Sequence, residues 1–157
     1  MPWGEEGVRP SPLTLFIVSV ERITPGAASA LFIVNEIEKL NYTSLLKASE
    51  EIFLQLHDVT WEEKHVISEN FQLTKKQQFF SEINSENSFH IIYFDAFGIR
   101  VQPELWTEDI FQKMYNSLKM NGVLVTYAAN GNARRAMQAV GFSVERLPGP
   151  PGKKEML

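Results

Sequence analysis

The chain contains no cysteine. Disulfides are excluded, and so are metal sites built on thiolates; the absence fits a cytoplasmic protein. No apolar run is long enough to cross a bilayer, so no membrane association is expected. Leu13 to Val20 is apolar but too short, and neither the basic flank nor the small-residue cleavage site of a signal peptide accompanies it. No internal repeat is found. Positive charge is not in excess: the net charge is −4, which argues against an indiscriminate binder of nucleic acid.

What is present is an ordinary globular composition, 44% hydrophobic over 157 residues, enough chain for a real core. Residues 1–12 carry Gly, Pro and charge without periodicity and read as a leader; residues 13–157 read as a single domain. The charge is uneven. Residues 1–100 hold 14 acids against 8 bases, and residues 101–157 hold 5 acids against 7 bases. The net positive end suits phosphate, and equally a solvated surface.

The most informative stretch runs from Phe89 to Trp106. Phe89 to Phe94 is a short, nearly continuous apolar run rich in β-formers, which predicts a strand covered on both faces in a parallel sheet. It stops at Asp95. A carboxylate at the carboxyl end of such a strand faces the crevice where open α/β sheets bind ligands. Gly98 and Pro103 then break the backbone into a loop, and Trp106 closes it. From spacing alone an equal alternative has Asp95 capping a turn, with Phe97 and Trp106 in the core.

Around this stretch, Leu13 to Val20 reads as a strand followed by Glu21. Ala27 to Tyr42 fits helix or strand. Ser44 to His57 reads as a helix capped by Ser44. His65-Val66-Ile67 and Phe71-Gln72-Leu73 read as two strands turning near Asn70, and Lys75 to Ile83 as a helix or connector. Thr107 is placed to cap a helix with the stripe Ile110, Phe111, Met114, Tyr115 and Leu118, ended by Asn121-Gly122. Val123 to Tyr127 is the next strand. Asn130-Gly131-Asn132 opens a helix that Gly141 stops, Phe142 to Leu147 alternates as a strand, and Lys153 to Leu157 reads as a last short one. Alternating strands and helices imply right-handed crossovers and a mostly parallel sheet.

Several motifs then occur in order. They are Phe94-Asp95-Ala96-Phe97, Gln102 to Trp106, Asn121 to Tyr127, Ala133-Arg134-Arg135-Ala136, and Gly141-Phe142 with Arg146 to Leu157. Leu40-Asn41-Tyr42, Leu56-His57, Trp61-Glu62-Glu63 and Asn70-Phe71 precede them. Together, over about residues 37–157, they resemble the methyltransferase domain of the bacterial family that completes 5-methylaminomethyl-2-thiouridine at the tRNA wobble position (MnmC-like). The resemblance implies a Rossmann-like α/β sheet with helices on both faces. It also implies S-adenosylmethionine as cofactor, tRNA as partner, and N-methylation of 5-aminomethyl-2-thiouridine.

The resemblance assigns Asp95 to the amine as catalytic residue. Phe97, Trp106 and Tyr127 shape the base pocket, and Phe94 and Glu21 lie on the cofactor side, Glu21 as the ribose acid. Arg134, Arg135, Lys153 and Lys154 face the tRNA backbone, each also readable as a solvated surface group. No metal site is expected. The family's glycine-rich cofactor loop is not found: Gly4 and Gly7 follow no strand, and Gly26 stands alone. The sheet is therefore expected to lack the N-terminal cofactor-binding strand and loop, and the chain to hold the cofactor weakly. A truncated or catalytically silent methyltransferase-like binding module is the alternative, and a methyltransferase for another amine a third reading.

Overall fold

In a computed structural model of the chain, which describes residues 15–19, 42–46, 49–149, 151–152 and 154–157, the middle of the first apolar run forms strand β1 (Leu15–Ser19). The expected leader, the ambiguous stretch before Tyr42, Glu21 and Lys153 lie outside the described residues. The chain divides into two compact units, one within Glu21–Gln78 and one built from Phe79–Leu157 with β1.

In the first of these, the expected single helix is two, α1 (Tyr42–Leu46) and α2 (Glu50–Asp58). Ser44 lies inside α1 and not at the start of a helix. The cap is Ser49, whose side chain accepts from the Ile52 amide at 3.4 Å. The hairpin reads as expected, with β2 (Lys64–Ser68) antiparallel to β3 (Phe71–Thr74). Lys75 closes this unit: its Nζ donates to the His57 carbonyl at 2.6 Å and lies 5.6 Å from the Trp61 ring centroid. Burial pulls the Lys75 pKa below its ordinary value, against the opposing charge of Asp58.

The second unit carries the sheet. Strand β4 (Phe89–Asp95) lies between β1 and β5 (Leu118–Val125), all parallel. The adjacency expected of the two apolar runs is thus observed, and β1, from the run Leu13 to Val20 expected to be a strand, lies parallel beside the central strand. Burial along β4 is unequal. Ile92 and Phe94 are buried, whereas Tyr93 on the other face is 44% exposed. The β4–β5 crossover is helix α3 (Glu108–Ser117), which buries Ile110, Phe111 and Met114. Helix α4 (Gly131–Ala139) buries Ala133, Ala136 and Met137. Both join one cluster with Ile92, Phe94, Phe80 and Trp106. Among the described residues of this unit the helices therefore share one face of the sheet, not both.

Several local expectations shift. Thr107 occupies the α3 cap position, but its hydroxyl donates to the Glu104 carbonyl at 3.2 Å instead of capping. Helix α3 ends at Ser117, and Asn121-Gly122 falls inside β5, not at the helix end. The reason is a register shift between the pairs Phe89–Leu118 and Ile91–Val123, with Asn121 at φ 63°. That is a bulge, which needs a residue tolerant of the left-handed region. Gly141 stops α4 as expected, at φ 110°, with the Tyr115 ring over it. Phe142 to Arg146 is not a strand: side chains from Phe142 to Glu145 alternate half-buried and exposed, but no ladder forms. Only β6 (Leu147–Pro148) pairs, antiparallel to β7 (Glu155–Met156). Leu157 then exchanges both backbone bonds with Thr126, at 2.7 and 3.0 Å.

Gly122 is held by space. A Cβ there would sit 2.8 Å from the Lys119 carbonyl oxygen and 2.9 Å from the Leu118 side chain. Gly122→Ala is expected to cost about 1–3 kcal/mol by overpacking, read in urea as a lower midpoint at unchanged slope.

Candidate functional site

The carboxyl ends of three parallel strands form an edge at which β4 delivers Asp95. Side chains alternate along a strand, so Phe94 turning into the core obliges Asp95 to turn away from it. Phe94 is 1% exposed, and its ring meets Phe80, Trp106 and Phe111 at centroid distances of 5.4, 5.2 and 5.4 Å. Asp95 is exposed and stands in register with Ser19 of β1. The carboxylate is thus presented to solvent by a strand whose preceding residue is fixed, and no burial penalty falls on it.

The loop after Asp95 is closed by backbone contacts. The Val101 and Gln102 amides both donate to the Gly98 carbonyl, at 2.7 and 3.2 Å. Gly98 itself has open space where a Cβ would be. Its role as a loop-former is therefore not steric. Pro103–Trp106 is a short 3-10 turn that carries the chain back under the loop. There the Trp106 Nε1–H donates to the Phe97 carbonyl at 2.8 Å. The Phe97 ring points outward, 40% exposed.

On the neighbouring strand, Tyr93 pairs with Val125. Tyr127 follows Val125, the last residue of β5, by two residues. Tyr127 is 50% exposed. Asn130 then caps α4, its side chain accepting from the Asn132 amide at 2.7 Å.

Asp95, Phe97 and Tyr127 are therefore brought to one edge with accessible side chains. Two other expected residues are placed differently. The Phe94 ring is enclosed by aromatic neighbours and leaves no face for a cofactor. Trp106 is 4% exposed and belongs to the core, as the alternative sequence reading had it. Arg134 and Arg135 lie on α4; Arg135 donates to the Asn132 side chain, and the Arg134 Nε is buried without a hydrogen-bond partner. Lys154 lies beside the β6–β7 pair, next to the Arg146–Glu155 ion pair at 3.2 Å. The Trp106–Phe97 tie was missed in the sequence. Its signal was a tryptophan close behind a loop, since a buried indole N–H needs an acceptor.

Concavities of about 290 Å³, lined by Arg146, Leu147 and Lys154, and about 430 Å³, lined by Leu118, Gly122 and Phe142, lie away from Asp95. Among the described residues no group of three His, Cys, Asp or Glu side chains is placed to hold a metal ion. Nor is any described helix long and apolar enough to cross a membrane.

Residues 41–157 match the model of a family described as S-adenosyl-L-methionine-dependent methyltransferase. Two relatives are each described as the tRNA 5-methylaminomethyl-2-thiouridine biosynthesis bifunctional protein MnmC. They come from Actinobacillus pleuropneumoniae serotype 5b (strain L20) and serotype 3 (strain JL03). Each is 35% identical over 65 residues, 41% of this chain and 10% of the relative. The matched stretch thus spans a tenth of the relatives' length.

The cofactor of that family carries a sulfonium cation and an adenine ring. Of the two residues expected on its side, the Phe94 ring is enclosed in the core and Glu21 lies outside the described residues, so the described residues do not by themselves make up a cofactor site. Because Asp95 is exposed, Asp95→Asn is expected to leave stability within about 0.5 kcal/mol of the parent, checked by thermal melting.

Proposed function

The chain belongs to this family of S-adenosyl-L-methionine-dependent methyltransferases, and from that premise we propose that it methylates the exocyclic amine of 5-aminomethyl-2-thiouridine at the wobble position of tRNA. The observation that carries the reading is the exposed Asp95 carboxylate at the carboxyl end of the central parallel strand, followed two residues later by the exposed Phe97 ring. The descriptions of the two relatives, which name the biosynthesis of that nucleoside, support the choice of substrate.

The bound cofactor supplies an electrophilic methyl group on sulfur. The chain's part is to bring the amine into line and manage its proton. Asp95 accepts a hydrogen bond from an amine N–H, which directs the nitrogen lone pair away from the carboxylate and toward the methyl donor. The cofactor would give up its methyl group to that nitrogen and leave as a thioether. The nitrogen then sheds a proton, which passes by way of the Asp95 carboxylate to the solvent that reaches it. Phe97 and Tyr127 stack on the extruded base, as aromatic side chains do on unstacked RNA bases. Arg134, Arg135, Lys153 and Lys154 meet the tRNA backbone.

Asp95→Asn keeps the shape and removes the charge. It is expected to lower single-turnover methyl transfer to undermodified tRNA by at least about tenfold, within the range of acid–base groups. Full activity in the folded variant would return Asp95 to a turn cap. Calorimetry with S-adenosylmethionine separates the enzyme from a silent binding module, which would give no heat of binding.

Charge reversal at Arg134, Arg135, Lys153 and Lys154 together is expected to weaken tRNA binding and flatten its salt dependence. Phosphate contacts release counterions, and each one lost reduces the slope by about 0.7–0.9. An unchanged slope in a binding titration over salt would assign these residues to the solvated surface.

A further inference from the structure

We propose that Trp106 is a positioning residue for Asp95 that acts through the Phe97 carbonyl and makes no contact with substrate. The inference rests on the reading of Asp95 given above. Trp106 has one polar atom, the Nε1–H, which can only donate. That atom reaches the Phe97 carbonyl at 2.8 Å. The rest of the indole is held by the core, at 5.2 Å and 84° to Phe94 and 6.2 Å and 64° to Phe111. Its 4% exposure leaves no surface for a base or a cofactor.

The tie falls where it controls the carboxylate. Only Ala96 separates Asp95 from Phe97. On the strand side, Asp95 is fixed by register with Ser19, and Tyr93 by register with Val125. On the loop side two consecutive carbonyls are clamped, Phe97 by the indole and Gly98 by the Val101 and Gln102 amides. The Gly98 clamp is internal to the loop and fixes its shape. The indole bond joins the loop to the core and fixes its position. Phe94 precedes Asp95 and Trp106 holds the residue two beyond it, and these two side chains pack edge to face on each other. The carboxylate is thus pinned from both sides by one aromatic pair, while its own oxygens stay open to a ligand.

This arrangement separates rate from binding. Loosening the loop lets Asp95 wander from the line of transfer, and misplacement on the order of 1 Å costs about a hundredfold in rate. A residue that never touches substrate leaves the KM nearly unchanged.

The test uses the full chain with Trp106→Phe, and a second variant carrying benzothienylalanine at position 106, which keeps the indole shape and replaces only the N–H by sulfur. In both, single-turnover methyl transfer to undermodified tRNA is expected to fall about ten- to a hundredfold, with KM for tRNA within about twofold of the parent. Amide hydrogen exchange at Val101 and Gln102, whose amides are bonded to the Gly98 carbonyl, is expected to rise while that of β4 and α3 stays as in the parent. A raised KM with an unchanged rate constant would overturn the proposal in favour of direct contact. Unchanged kinetics and exchange in the benzothienylalanine variant would overturn it in favour of a core role alone. If the parent transfers no methyl group, the reaction assigned to Asp95 fails and the exchange decides the tie. Faster exchange confined to Val101 and Gln102 sustains the positioning, and unaltered exchange overturns it.

Discussion

The packing of the Phe94 ring is the constraint on which the rest of this unit depends. Three aromatic neighbours surround it, Phe80 before the strand, Trp106 after the loop and Phe111 on the crossover helix. Each comes from a different part of the chain, so a single ring unites the entry to β4, its exit and α3. Edge-to-face and tilted pairs of this kind add about 0.5–1.5 kcal/mol each beyond the area they bury. The segment before β4 is tied to the same helix through its backbone: the Asn87 and Ser88 amides donate to the carbonyls of Asn116 and Ser117, both at 2.8 Å.

That packing determines what the strand can present. With Phe94 turned inward, the alternation of a strand leaves the next residue facing out. The carboxylate is placed by the anchoring of its neighbour and not by bonds of its own. A buried carboxylate would need backbone amides to satisfy it, and those amides would compete with a substrate amine for its oxygens. The open edge avoids that competition. Its rigidity comes from the Trp106 N–H and the turn about Gly98, both of which act on backbone and leave side chains free.

The second strand end is secured in another way. Thr126 is buried, and its backbone exchanges both hydrogen bonds with Leu157. This fixes the point from which Tyr127 and the Asn130 cap depart. The bulge at Asn121-Gly122 takes up the register difference between the first and later pairs of β4 and β5. Because side chains alternate, an unabsorbed slip would turn Val123 to Val125 over and carry Tyr127 away from the Asp95 side.

By itself the sequence determined the elements with strong periodicity: the apolar runs of β4 and β5, α3 with Ile110, Phe111 and Met114 facing in (Tyr115 of the expected stripe is exposed and Leu118 falls in β5), the hairpin around Asn70 and the stop at Gly141. Each follows from spacing within a dozen residues, where side-chain period and turn chemistry act locally. The ordered motifs from Phe94 to Leu157 also carried the family. Tertiary structure alone decided the rest. Alternation from Phe142 to Arg146 could not say whether a partner strand would lie beside it, since ladder bonds belong to two segments at once. Ser44 and Ser49 are both acceptable caps, and which one is used depends on where the helix breaks. Trp106 has the same composition signal whether it lines a pocket or fills a core. Its burial against Phe94 and its bond to Phe97 come from residues that only folding brings together, and that is why the sequence left its role open.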